Sequence, residues 1–193
     1  EDKLLFLPDA IINVKKFIGF KYQKIQRKTD RKYLLSVGRY TKQKNFKYLI
    51  NEISNFFNNN NNYDLYIIGD GEQKKELQNL IYKKKLDNRI YLIDYTPNVY
   101  SYMKNAAIYI LPSLWEDPGF VIIEAALCNL PIISSNCSNG PKEFLMDGNA
   151  GDLFESNKRG ALSKALSDYS ISLNKKIKAK KNTLKYTNFR HFK

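Results

Sequence analysis

From residue 33 onward the chain alternates between short apolar runs and longer stretches whose apolar residues recur every three to four positions. The short runs are 33–37 (YLLSV), 64–68 (DLYII), 89–93 (RIYLI), 107–111 (AIYIL) and 131–134 (PIIS), with 152–154 as a sixth. Each lies close to Gly, Pro, Ser or Asp, and together they are rich in β-branched and aromatic residues, which predicts buried strands. Between them, 44–57 places Phe46, Leu49, Ile50, Ile53 and Phe57 at helical spacing. The stretch 72–85 puts Leu77, Leu80 and Ile81 on one face, with lysines in the last turn where the helix dipole favours them. Residues 97–106 predict a short helix opened by Pro97. An apolar helix over 119–128, a short one over 141–146 and an amphipathic one over 159–169 follow.

Apolar strands that alternate with helices belong to a parallel sheet covered on both faces. The predicted fold class is therefore α/β, an open, doubly wound, Rossmann-like parallel sheet. Ligands of such sheets bind beyond the carboxyl ends of the strands. Functional residues are expected just after Val37, Ile68, Ile93, Leu111 and Ser135. There is no internal repeat, and the Asn run at 58–62 reads as a solvent loop.

The 193 residues suffice for one sizeable domain with short appendages. An apolar fraction of 43% with 13% aromatics excludes wholesale disorder. The net charge of +13 is unevenly placed. Residues 15–32 carry +7 and residues 169–193 carry +8 with no acidic side chain, whereas 33–168 is neutral. A neutral body between basic flanks does not suit a nucleic-acid-gripping domain, whose basic residues belong on the folded body. It suits work near anionic lipid headgroups, or two solvated basic faces.

Chemistry is further bounded by what is scarce. Cys128 and Cys137 form no CxxC and no disulfide framework, which points to a reducing cytosol. The single His is His191, so a His/Cys metal site and a Ser-His or Cys-His catalytic pair are set aside. No signal peptide and no apolar run of membrane-spanning length is visible. The chain opens Glu1-Asp2-Lys3 without an initiator Met, which suggests a piece of something longer.

The strand ends hold the candidate site. After the first run come Gly38 and Arg39, then Lys44 where the next helix begins. Arg supplies a bidentate fork and Lys a mobile point charge, a pairing that suits a diphosphate. After the second comes Gly69-Asp70-Gly71, followed by Lys74 where a dinucleotide fingerprint needs its third glycine. NAD or FAD binding is thereby disfavoured, and a tight turn into a helix capped by Asp70 is expected. No P-loop pattern occurs.

After the fourth run comes LPSLWEDPGFVIIEA, residues 111–125. If Gly119 opens a helix, Glu116 lies in the loop before it and Glu124 in its second turn. The axis rises about 7.5 Å between Gly119 and Glu124. The backbone N–H groups of Gly119, Phe120 and Val121 would then form an anion cradle between two carboxylates. That order matches the hexose hydroxyls, diphosphate and ribose of a nucleotide sugar. Glu124 also interrupts an apolar run, and burial of an unpaired carboxylate there would be costly. The plainer alternatives are a salt bridge for Glu124 and a solvated loop carboxylate for Glu116.

These residues resemble the C-terminal, donor-binding domain of a retaining GT-B-fold glycosyltransferase of family four, the glycosyl transferases group 1. The match covers roughly 33–168. It rests on Ser36-Val37-Gly38-Arg39, Lys44-Asn45, Gly69-Asp70-Gly71, Leu111-Pro112-Ser113, Glu116, Gly119-Phe120 and Glu124-Ala125. The strand PIISS at 131–135 and the turn GPKE at 140–143 also fit. The chain departs from the family with Asp117-Pro118-Gly119 in place of Gly-Phe-Gly, and Pro118 removes one N–H donor. It also carries Cys137-Ser138-Asn139-Gly140 where paired glycines are usual.

The resemblance implies transfer of a hexose from a nucleotide diphosphate sugar to a glycan or lipid-linked acceptor, with retention, in cell-surface polysaccharide or lipopolysaccharide synthesis. Arg39 and Lys44 would stabilise the leaving diphosphate, Glu116 would orient the hexose and Glu124 would hold the ribose. Gly38, Gly119, Phe120 and Val121 would complete the donor site. No DxD motif occurs, so neither a metal nor a cofactor is expected beside the donor. The domain division is 1–32 as linker remnant and basic segment, 33–168 as the nucleotide-sugar domain, and 169–193 as basic helix or tail. The segment 4–13 resembles an interdomain linker, so the expected partner is an N-terminal acceptor-binding domain. The expected location is cytoplasmic, with an anionic inner membrane face as a second partner and no nucleic acid. The competing readings are a non-catalytic nucleotide-sugar-binding module, a sugar-nucleotide 2-epimerase and a basic nucleic-acid binder.

Overall fold

A computed structural model of the chain describes residues 17–19, 23–117 and 119–186. Six strands form one parallel sheet: β1 (Lys32–Val37), β2 (Tyr63–Ile68), β3 (Ile90–Ile93), β4 (Ile108–Leu111), β5 (Ile132–Ser135) and β6 (Asp152–Phe154). Among the described residues the helices packed around them are α1 (Phe46–Asn58), α2 (Lys74–Lys83), α3 (Val99–Asn105), α4 (Phe120–Leu127), α5 (Pro141–Phe144), α6 (Ala161–Ser167) and α7 (Leu173–Asn182). The spatial order is β3-β2-β1-β4-β5-β6. The α/β, doubly wound, Rossmann-like sheet expected from the sequence is the observed fold.

Strand side chains alternate between two faces, and each face has its own core. Tyr33, Leu35, Tyr66, Ile68, Tyr109 and Leu111 pack with α3 and α4. Leu34, Leu65, Ile67, Ile108 and Ile110 pack with α1, α2 and α6. Burial on both sides explains why the strands read as continuous apolar runs rather than alternating ones.

The strand order reverses between β1 and β4, and there the ladder is short. Only Leu34↔Ile108 and Leu35↔Tyr109 are paired, against six residue pairs between β1 and β2. Beyond that point Ser36 Oγ donates to the Ile110 carbonyl at 2.7 Å and the Tyr109 hydroxyl reaches the Val37 carbonyl at 3.3 Å. Side chains replace ladder bonds, and the two strand ends part. A crevice at the reversal of strand order is the expected ligand position in this architecture.

Three local expectations are corrected. Pro97 does not open α3, which begins at Val99 behind Asn98. Asp70 does not cap α2; its carboxylate accepts from the Gly71 N–H, and Gln73 takes the cap position without a side-chain bond. The stretch expected as one helix over 141–146 is the single turn α5 followed by a 3₁₀ turn at Met146–Gly148. Segment 4–13, Pro118 and His191 lie outside the described residues.

Helix α7 docks on the body through small and polar groups. Ala179 and Thr183 are buried, Asn182 Nδ2 donates to the Phe144 carbonyl at 2.8 Å, and Lys175 pairs with Asp152 at 2.5 Å. Ser172 caps the helix, accepting from the Lys175 N–H.

Candidate functional site

The cleft at the carboxyl ends of β1 and β4 has a volume of about 830 Å³. Its floor on the β1 side is backbone. Gly38 N–H donates to the Ile68 carbonyl at 3.0 Å and Tyr40 N–H to the Asp70 carbonyl at 2.8 Å, which stitches the loops after β1 and β2 together. A Cβ on Gly69 would fall 1.9 Å from the Gly38 carbonyl oxygen, and one on Gly71 would fall 2.8 Å from the Tyr40 backbone. Gly-Asp-Gly therefore serves close backbone approach. Buried Tyr40 locks the arrangement by donating to the Ile67 carbonyl at 2.9 Å.

The opposite wall is the loop after β4. Ser135 Oγ holds the Ser113 carbonyl at 2.7 Å, Leu114 N–H donates to the Gln43 carbonyl at 2.9 Å, and Gln43 Nε2 returns to the Trp115 carbonyl at 3.1 Å. A bridge between Trp115 and Ser138 fixes the other side. The loop so pinned turns Glu116 inward, where it is only 2% exposed. Lys44 Nζ meets both of its carboxylate oxygens, at 2.7 and 2.8 Å, and Ser113 Oγ donates to the same carboxylate. The solvated-loop alternative for Glu116 is thus overturned. Two groups assigned separately to hexose and phosphate form one ion pair on the cleft wall.

Gly119 ends this loop and is the N-cap residue of α4, with a left-handed φ of 77° that favours glycine. The first turn of α4 leaves backbone N–H groups without helical partners. Gly119, Phe120 and Val121 all line the cleft. One turn further, Glu124 also lines it and accepts from the Tyr100 hydroxyl at 2.8 Å. Burial, with the Glu124 charge beside it, pushes the Tyr100 phenol well above its ordinary pKa, so the hydroxyl stays a donor. Arg39 is exposed and lines the same cleft from the β1 side.

Gly38, Arg39, Lys44, Glu116, Gly119, Phe120, Val121 and Glu124 thus share one cleft. Sequence reasoning missed Tyr100 and Ser113, which position the two carboxylates. It also missed the lining by Tyr95, Thr96 and Pro97, although their place after β3 signalled it. Among the described residues no cluster of His, Cys, Asp or Glu could hold a metal ion, and no helix is long and apolar enough to cross a membrane.

Residues 18–185 match the family described as Glycosyl transferases group 1. The chain belongs to that family.

An uncharacterized glycosyltransferase of Methanocaldococcus jannaschii is 39% identical over 111 residues, covering 58% of this chain and 27% of the relative. The amylovoran biosynthesis glycosyltransferase AmsD of Erwinia amylovora is 33% identical over 114 residues, covering 59% of this chain and 32% of AmsD. The crystal structure of Anabaena HepE in complex with UDP and glucose superposes with a TM-score of 0.72 at 19% identity, over 81% of this chain and 45% of HepE. This group 1 chain spans about a third of the length of the curated relatives it matches. Its Rossmann-like sheet shares the fold of the matching part of HepE, and its relatives include glycosyltransferases of amylovoran and O-antigen biosynthesis.

Proposed function

We propose that this chain is the donor-binding half of a glycosyltransferase that moves a hexose from a nucleoside diphosphate sugar to a glycan or lipid-linked acceptor, with retention, in cell-surface polysaccharide or lipopolysaccharide synthesis. The observation that carries the reading is the order of groups along one cleft wall. The Lys44–Glu116 pair comes first, the helix N-terminus at Gly119–Val121 second, and Glu124 with Tyr100 third. HepE, with the same fold, was crystallised with UDP and glucose, which supports a nucleotide sugar as the ligand class.

On this reading the diphosphate rests on the α4 N-terminus, where backbone N–H groups and the helix dipole favour an anion. Arg39 closes over it from the β1 side. Lys44 lies at the hexose end of the diphosphate, held in place by Glu116, and the two cations stabilise the charge that grows on the leaving group. With Lys44 held by Glu116 and Arg39 able to close from the rim, the two side chains supply the positive charge, and the reading needs no metal and no cofactor. Glu116, already oriented by Ser113 and Lys44, accepts hydrogen bonds from hexose hydroxyls. Glu124 accepts from the ribose, and the loop after β3 borders the base. An acceptor-binding half supplies the other wall of the active site, and the enzyme works in the cytoplasm.

Calorimetry with a panel of nucleoside diphosphates and nucleotide sugars tests the reading. A nucleoside diphosphate is expected to bind, and its matching nucleotide sugar to bind as well. A chain that binds no member of the panel overturns it. Binding without turnover, when an acceptor-binding half is supplied, leaves a nucleotide-sugar-binding module instead.

A further inference from the structure

Helix α7 is turned inside out relative to an ordinary surface helix. A helix docked on a domain normally buries its large apolar side chains and shows its polar ones. Here the docking face is Ala179 with the polar groups of Lys175 and Asn182, while the large apolar residues point outward. Leu173 is 64% exposed, Ile177 41% and the preceding Ile171 78%. Leu184 is exposed in the turn that follows.

The spacing makes this a stripe. Leu173 and Ile177 are one turn apart, and Lys180 continues the row at the next. Lys176 flanks it on one side and Lys181 on the other, with Lys178 further round the exposed surface. No acidic residue occurs anywhere from 169 to 193. An outward apolar stripe edged by lysines is the pattern of a helix lying in a membrane interface, with its leucines in the acyl boundary and its ammonium groups at the phosphates.

A second feature lies beside it. A pocket of about 480 Å³ opens between α7 and the amino ends of β4 and β5. Its walls include Met103, Leu127, Leu130 and Pro131, and Lys104, Lys176 and Lys180 stand around it. Apolar side chains, Phe17 among them, mixed with three lysines are a combination that suits an anionic amphiphile. This pocket sits at the end of the sheet opposite the donor cleft, about 13 Å away for a four-residue strand.

We propose that the outward face of α7 docks the protein on an anionic phospholipid bilayer. The bilayer then covers Ile171, Leu173 and Ile177, lysines on both sides of the stripe meet lipid phosphates, and the donor cleft stays open at the far end of the strands. The proposal stands independently of what the cleft binds.

Co-sedimentation of the full chain with vesicles tests it. Phosphatidylcholine vesicles containing phosphatidylglycerol should bind the chain, and pure phosphatidylcholine should bind it far less. The charge-reversed double variant Lys178→Glu/Lys181→Glu should weaken binding at least about twentyfold, given roughly fivefold for each lysine at the surface. Leu173→Ser/Ile177→Ser should weaken it about tenfold through lost apolar insertion. All four substitutions fall on exposed positions, so the thermal unfolding midpoint should stay that of the parent. Should a variant fail to fold, a salt titration of the parent replaces it, and binding should fall steeply as screening increases. Equal binding to both vesicle types, no binding, or variants that bind like the parent overturn the proposal. Binding to a duplex DNA fragment but not to vesicles overturns it in favour of nucleic acid.

Discussion

Among the described residues two carboxylates are buried against cations, one at each end of the sheet. Asp64, at the amino end of β2, has no exposed surface and is enclosed by Thr29, Arg31 and Arg89. Arg89 also donates to the Tyr63 and Asn60 carbonyls and lies over the Phe57 ring at 4.2 Å. Glu116, beyond the carboxyl end of β4, is almost as deeply buried and is held by Lys44 and Ser113, yet it lines open space. The local chemistry of the two sites is nearly the same. Their position along the strands separates them: one cluster seals the start of β2, and the other stands where the order of strands reverses and the backbone ladder gives out. A buried ion pair is therefore evidence of function only in combination with the topology around it.

The sharpest way to break this contrast is to remove both carboxylates and compare stability. Asp64→Ala leaves two guanidinium groups without their shared partner, and breaking a buried pair costs on the order of 3 kcal/mol. Urea unfolding should show that loss, while nucleoside diphosphate affinity of the folded fraction should not change. Glu116→Gln should cost less, about 1 kcal/mol, because the released Lys44 ammonium can turn into the cleft and rehydrate. Equal losses would make Glu116 a structural group like Asp64 and remove the distinction.

Ligand affinity should separate the cleft residues from one another. Arg39→Ala should weaken nucleoside diphosphate binding by about 2 kcal/mol, the loss of a charge-assisted hydrogen bond, with the fold intact. Unchanged affinity by calorimetry would reject the phosphate role. Glu124→Gln keeps a hydrogen-bonding side chain, so its effect on the same affinity should be smaller, about 1 kcal/mol. Glu116→Gln should leave nucleoside diphosphate affinity nearly intact. In an enzyme carrying both halves it should lower turnover instead, because the hexose is poorly oriented. If Glu116→Gln loses the nucleotide and Glu124→Gln does not, the donor lies in the opposite direction along α4.

The strands and most helices were legible because burial on both faces writes them as apolar runs of the right length. The runs at 33–37 and 64–68 became β1 and β2 with one residue added at each start. Residue types and strand ends also placed all eight candidate residues at one cleft. What the sequence could not show is pairing. Lys44 and Glu116 are 72 positions apart, and nothing local in either segment names the other as partner. Tyr100 was hidden for a related reason: it sits in a helix whose other residues, Tyr102 and Met103, are ordinary core, and only the fold turns its hydroxyl toward Glu124. Pro97 and Asp70 misled because each is a strong local signal that another turn had already absorbed.

The short ladder between β1 and β4 also has a kinetic consequence. The segment from β1 to β3 can assemble from neighbours in the chain, and so can the segment from β4 to β6. Joining them requires Ser36 to find Ile110, 74 positions away, for a contact that few backbone bonds reward. Closures of that span are slow relative to local ones. The walls of the cleft come one from each segment, so the cleft exists only once the two segments have joined. Ligand capture is then a reporter of the join between the two segments, and a nucleotide present during refolding would favour the joined state.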